Sequence, residues 1–276
     1  MNFLRKRLRF PSTPFHYDSI DLVKRSASEW NSSYRTADKS LPILFCLDVS
    51  ASMLVPGGRG GYAPIDLLNA AISQSLDQLR DTPEAEVEVA FLTFSKKTID
   101  FTGFNPLRNL DSAKFKVIID PKQSGTKLAS AVKESVNMLQ QHKMDLVNDR
   151  LPHYVPFLII VTDGAEGDSA KDTASAQKLL EEHCRSRPNQ DSLIVPIVIG
   201  VGEDGALEKL PGYSKGFLKG NIPFIPFKNL NSIQEFKSLF SQIVDRIHDS
   251  VKWNFNQDEE IDIRKTIAEE WDMFGQ

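Results

Sequence analysis

Short apolar runs alternate along the chain with longer stretches of helical periodicity. The first run, LPILFCLD at 41–48, carries no charge until its closing aspartate. A run of this length without polar alternation predicts a strand covered on both faces, as in parallel sheets. EVEVAFLTFS at 86–95, YVPFLIIVTDG at 154–164, SLIVPIVIGVG at 192–202 and the short NIPFIPF at 221–227 predict further strands. Between them, 65–80, 127–144, 169–186 and 231–251 read as helices. In the last of these, Ile233, Phe236, Leu239, Phe240, Ile243 and Ile247 fall on one face. KTIDFTGF at 97–104 follows the second strand closely enough to pair back on it as a hairpin. Asp111 fits the N-cap of a short helix after it. Pro196, inside an apolar run, points to an edge strand or a bulge. Together these elements predict an α/β fold: a doubly wound, mostly parallel central sheet with one antiparallel edge strand and helices on both faces.

The patterned region spans 40–252. Ahead of it, 1–39 reads as an irregular arm holding Pro11 and Pro14, with a short helix expected around 18–30. Behind it, 253–276 reads as an acidic tail. Hydrophobic residues at 41% and charged residues at 25% are ordinary for a soluble globular chain. A formal net charge of −4 and the lack of a basic stripe argue against a nucleic-acid partner. Arg5, Lys6, Arg7 and Arg9 interrupt the apolar residues of the first ten positions, so no secretory signal is expected. No run of about 20 apolar residues is present, so no membrane span is expected either, and a cytoplasmic location follows. Cys46 and Cys184 are too sparse for a disulfide framework or a zinc site. The first reads as a buried small hydrophobe and the second as a surface thiol.

The chemistry concentrates in three segments. Asp48, Ser50 and Ser52 follow the first strand, Thr126 stands after Ser124-Gly125 at the mouth of a helix, and Asp163 lies in Thr162-Asp163-Gly164 at the end of another strand. Each falls at the carboxyl end of a strand or at the start of the helix beyond, where open α/β sheets bind ligands. Two carboxylates and three hydroxyls are all hard oxygen donors, which suit Mg²⁺, Mn²⁺ or Ca²⁺ rather than a softer metal. Two close carboxylates repel each other unless a cation lies between them. Residues two apart on the turn can aim both serine hydroxyls one way. Five protein oxygens leave one corner of an octahedron open, and an Asp or Glu side chain of another protein fills it best.

Asp48-x-Ser50-x-Ser52, Thr126 and Asp163 resemble the metal-ion-dependent adhesion site of von Willebrand factor A domains. The order of strands, the hairpin and the late IVIGVG strand resemble that family too, over roughly 41–250. The resemblance implies that Ser50, Ser52 and Thr126 contact the metal, with Asp48 and Asp163 acting largely through water. It implies a metal-dependent protein-interaction module rather than an enzyme. The layout is similar to the bacterial branch associated with tellurium resistance, which implies a role in stress response or defence. Ala51 stands where glycine is common in the family, and the loop 55–64, with four glycines, is longer than usual.

The same residues admit other readings. The loop PGGRGGYAP lacks the Lys-Ser/Thr that a phosphate-binding loop needs after its glycines. Its Arg59 is instead a candidate partner contact, as is Glu166 beyond Asp163. Asp168 or Ser169 is expected to cap the helix that follows. A scaffold binding through its terminal arms, with a merely structural metal, is one alternative. A Mg²⁺-dependent hydrolase or phosphatase is another. It is disfavoured because position 50 is serine rather than a second aspartate, and because no histidine adjoins the strand-end motifs; His153 comes nearest.

Overall fold

The computed structural model describes residues 39–56, 61–82, 85–96, 99–119, 125–164, 167–184, 194–202, 207–208, 210–214 and 224–252. The expected arm helix, the acidic tail, Ser124, Arg59 and Glu166 lie outside these residues.

The apolar runs become strands β1 (Lys39–Asp48), β2 (Ala85–Phe94), β5 (Phe157–Thr162), β6 (Val195–Val201) and β7 (Phe224–Phe227). They form the parallel sheet β2-β1-β5-β6-β7. The expected antiparallel edge is present in two short pieces, β3 (Ile99–Phe101) and β4 (Asn105–Pro106), both paired with β2. Every residue of β1 after Lys39 is buried, which is why its sequence shows no alternation.

Four helices cover the sheet: α1 (Pro64–Arg80), α2 (Leu128–Asn148), α3 (Ala170–Cys184) and α4 (Ile233–Lys252). Helices α1 and α4 pack together on one face, and α2 and α3 on the other. Helix α1 opens on Pro64, whose missing N–H costs nothing in a first turn. In α4 the expected stripe is buried at Phe236, Leu239, Phe240, Ile243 and Ile247, while Ile233 is half-buried. Phe236 meets Phe227 of β7 edge-on, with ring centroids 4.7 Å apart. On the sheet, Phe45 stacks on Phe91, and Phe91 on Phe115. Asp111 caps the short 3-10 turn Ser112–Lys114, accepting from the Ala113 N–H.

Two expectations change. Strand β6 is interior, without a bulge in its register, although it holds Pro196. The Val195 N–H donates to Pro156 O towards β5, so the Pro196 nitrogen faces the other way. On that side the described pairing with β7 starts at Val198, so among the described residues the proline removes no ladder bond. Cys184 is buried rather than a surface thiol, and burial pushes its thiol well above the usual range. Cys46 is likewise buried, with its thiol pushed up to about 12.

The amino-terminal edge of the sheet holds a closed polar cluster. Glu88 of β2 is buried, yet one carboxylate oxygen accepts from Ser40 Oγ at 2.6 Å and meets His142 Nε2 at 2.8 Å. His142 stacks on Phe104, centroids 4.0 Å apart. Neighbouring Glu86 is buried too, and Arg108 pairs with it at 2.5 Å. These contacts tie α2 to β1 and β2. Replacing His142 with alanine leaves Glu88 short of a partner and removes a stacked ring. The variant is expected to lose about 1–3 kcal/mol in urea unfolding, whereas H142A combined with Glu88→Gln recovers part of that loss.

Candidate functional site

The parallel register sets the site. Asp48 closes β1 opposite Phe94 of β2, and the pairing of Leu47 with Val161 puts Asp48 beside Thr162 at the end of β5. All three strand ends meet the same edge. Asp48 is fully buried, and Asp163, one residue beyond β5, is 9% exposed.

Each Asp48 oxygen already has a donor. Oδ1 accepts from the Ser50 backbone N–H at 2.9 Å, and Oδ2 accepts from Thr162 Oγ1 at 2.6 Å. The first bond folds the chain back after β1 and starts the 3-10 turn Ala51–Leu54, closed by Met53 N–H on Ser50 O. That turn brings Ser50 Oγ and Ser52 Oγ to 2.9 Å from each other and sends Met53 into the core. The two hydroxyls expected to aim one way thus lie within hydrogen-bond distance of each other.

Thr126 arrives from the other side. The Lys96 N–H after β2 donates to Gly125 O, and the Gly167 N–H after β5 donates to Thr126 O. These two bonds anchor the mouth of α2 to the loops at the carboxyl edge. Gly125 holds φ +85°, a conformation that side chains other than glycine rarely adopt. A Cβ on Gly167 would lie 2.8 Å from Thr126 O, so only glycine allows this approach. Thr126 itself is buried, and its Oγ1 has no hydrogen-bond partner among the described residues.

Two participants were not singled out from the sequence. Thr162 holds Asp48 directly; its signal was its place at a strand end, on the Asp48 side of the sheet. Gly167 makes room for Thr126. Of the two residues expected to cap α3, Ser169 does so, accepting from the Asp172 N–H, while Asp168 reaches across to α2, accepting from the Ala129 N–H at 2.8 Å.

The electrostatics follow from burial. Removal from water, together with the nearby Asp163 carboxylate, pushes Asp48 up from its ordinary 3.8 to about 7, against the hydrogen bonds from Thr162 and Ser50. Ionisation of Asp48 thus costs more in the cation-free protein than in water. No cluster of three or more His, Cys, Asp or Glu that could hold a metal ion occurs among the described residues. The four described histidines lie towards the opposite edge. His153 bridges Ser40 near the start of β1, His142 and His248 sit in the distal turns of α2 and α4, and His183 ends α3.

A carboxyl raised in the fold contributes stability that is complete below its unfolded value, near 4, and is lost as pH rises through about 7. In EDTA, Tm is expected to fall between pH 5 and pH 8, and this slope should flatten in Asp48→Asn. Thermal unfolding of both proteins across that window checks it.

A family model described as von Willebrand factor type A domain matches residues 43–239. Among solved structures, the chain is similar to a mutant of the PilB minor pilin from Streptococcus sanguinis, with 12% identity and a TM-score of 0.59 over 81% of this chain and 65% of that one. It is similar to a von Willebrand factor type A protein from Catenulispora acidiphila, with 14% identity and a TM-score of 0.52 over 75% and 42%. The pilus adhesin SpaC from Lactobacillus rhamnosus GG gives 14% identity and a TM-score of 0.54 over 76% and 31%. At such identities the likeness is one of fold, and the chain spans less than two thirds of each of these proteins. No curated protein is matched by this chain. Among the described residues no helix is long and apolar enough to cross a membrane. With the match covering most of the domain and its strand order, this chain belongs to the von Willebrand factor type A domain family.

Proposed function

We propose that the carboxyl edge holds one hard divalent cation, Mg²⁺ in the first instance and Mn²⁺ or Ca²⁺ as substitutes, and that the cation binds an Asp or Glu side chain of a partner protein. Ser50, Ser52 and Thr126 are the direct donors in this reading, with Asp48 and Asp163 supplying charge behind them. The observation that carries it is the Thr126 hydroxyl: buried, without a hydrogen-bond partner among the described residues, and on a helix mouth anchored to the loop after β5, at the sheet edge where Asp48 and Asp163 interact. Buried polar atoms are nearly always satisfied, so an unsatisfied one at a ligand-binding edge points to a missing ligand. A cation also removes the repulsion that raises Asp48.

The chemistry is binding rather than turnover. A serine nucleophile needs a base, and none of the described histidines reaches Ser50 or Ser52. The supporting likeness for the biological setting is the layout of the motifs, which suits a cytoplasmic bacterial protein of stress response or defence, in the tellurium-resistance-associated branch. The domain limits of 40–252, and Arg59 and Glu166 as partner contacts, belong to this same reading.

Removing a buried unsatisfied hydroxyl should stabilise the cation-free protein, yet cost it the cation. Thr126→Val is therefore expected to raise stability in EDTA by about 1 kcal/mol while weakening Mn²⁺ binding by on the order of tenfold or more. Calorimetric titration and urea unfolding of the same preparation read both effects. A variant that loses stability and keeps its Mn²⁺ affinity overturns the reading.

Added Mg²⁺ should raise Tm in the parent protein but not in Asp48→Ala. The gain should grow between pH 6 and pH 8, because the proton on Asp48 competes with the cation. A pull-down in Mg²⁺ should recover a protein that is absent in EDTA and absent with S50A. A partner held equally in EDTA argues instead for a scaffold working through the terminal arms.

A further inference from the structure

The rim of this edge is divided in two. On the α1 side stand Leu54, Val55 and Tyr62, exposed by 37%, 63% and 42%. They are half of the six large apolar side chains exposed among the described residues; Leu54 and Val55 lie two and three positions beyond Ser52, and Tyr62 stands two positions before α1. Leu54 and Val55 continue the turn that carries both serines. Tyr62 is fixed at the foot of α1 by its N–H donating to Leu230 O, just before α4. Apolar side chains gathered beside a charged hole mark a contact surface more than scattered exposed ones do.

On the α2 side stand Lys96 and Lys127, both exposed. The Lys96 stem covers Gly125, where its Cδ lies 3.0 Å from the position a Cβ would take. Lys127 is the N-cap of α2 and makes no side-chain cap bond. A cation at a helix N-terminus faces the positive end of the helix dipole, and lysine is a poor N-cap. Among the described residues neither lysine is paired with an acid. The local cost is offset when an anion arrives from outside.

We propose that this divided rim reads the residues beside the carboxylate that enters the site. The partner segment carries an aliphatic or aromatic side chain against Leu54, Val55 and Tyr62. On its other flank a second acidic side chain lies towards Lys96 and Lys127. The inference rests on the metal-site reading above and adds the sequence class of the ligand to it.

The test uses the full chain in Mg²⁺ and a set of capped, fluorescent pentapeptides with a central aspartate. One pair has an apolar flank and a glutamate flank, in both chain directions. A second peptide has alanine flanks, a third has lysine flanks, and a control has asparagine at the centre. One member of the apolar–acidic pair is expected to bind on the order of tenfold tighter than the alanine-flanked peptide, and the lysine-flanked one weakest. Val55→Asp combined with Tyr62→Ser should erase the gain from the apolar flank. Lys127→Gln should erase the gain from the acidic flank and reduce its sensitivity to salt. Both variants should keep their affinity for Mn²⁺. Equal Mg²⁺-dependent affinities across the aspartate peptides overturn the rim inference and leave the metal reading standing. Equal binding of the asparagine control, or binding retained in EDTA, overturns both. If no peptide binds at millimolar concentration the rim inference falls, and the Mn²⁺ titration decides the metal reading separately.

Discussion

Two carboxylates brought together out of water, Asp48 at the end of β1 and Asp163 just past the end of β5, set the terms for the rest of the structure. The parallel register leaves them no choice of position, since Asp48 sits beside Thr162 by backbone pairing alone. Burial and mutual repulsion both oppose their charge. Two hydrogen bonds to Asp48 counter part of this opposition without cancelling it. A compact α/β domain would lose nothing in packing by ending either strand on an uncharged residue. The cost is concentrated at one edge of the sheet, where loops rather than ladders meet.

The opposite edge makes an instructive contrast. Glu86 and Glu88 are also buried carboxylates on neighbouring positions of one face of β2. Each is answered from within the chain, Glu86 by Arg108 and Glu88 by Ser40 and His142. Charge that the protein satisfies itself is structural and fixes α2 in place. At the carboxyl edge the same helix opens just after Thr126, whose hydroxyl has no such answer among the described residues. One helix thus links a closed polar cluster to an open one. The anchoring at the far end holds the open end in register with β1 and β5.

The fold was legible because burial on both faces leaves a plain mark: LPILFCLD and FLIIVT have no polar alternation to hide their role. Asp48, Ser50, Ser52, Thr126 and Asp163 were legible as candidates because they stand at strand ends or a helix mouth. Contacts that depend on close approach between loops were not. The cap of α3 was legible as Asp168 or Ser169, and Ser169 supplies it; that Asp168 reaches the neighbouring helix mouth was not legible, since it depends on the packing of α2 on α3. Pro196 looked like an edge signal because a sequence does not show where the adjacent strand begins. Among the described residues its nitrogen faces no ladder partner, since Val195 pairs towards β5 and the pairing with β7 starts at Val198. Thr162 was visible in its segment, but its bond to Asp48 depends on register across 114 positions.

The hydrogen bonding of Asp48 also bears on how a cation would be held. Both of its oxygens are already committed, one to a backbone N–H and one to a hydroxyl. That leaves the neutral hydroxyls of Ser50, Ser52 and Thr126 as the freer donors at this edge. Neutral donors neutralise none of the ion's charge, and carboxylates set one layer back cancel it only partly. A hard divalent ion held this way keeps most of its attraction for an outside anion. Had the protein placed its carboxylates in direct contact, the ion would be better bound and less able to bind anything else. In the proposed reading, such an arrangement would trade affinity for the ion against the ion's affinity for a partner, a trade that a purely structural metal site does not need.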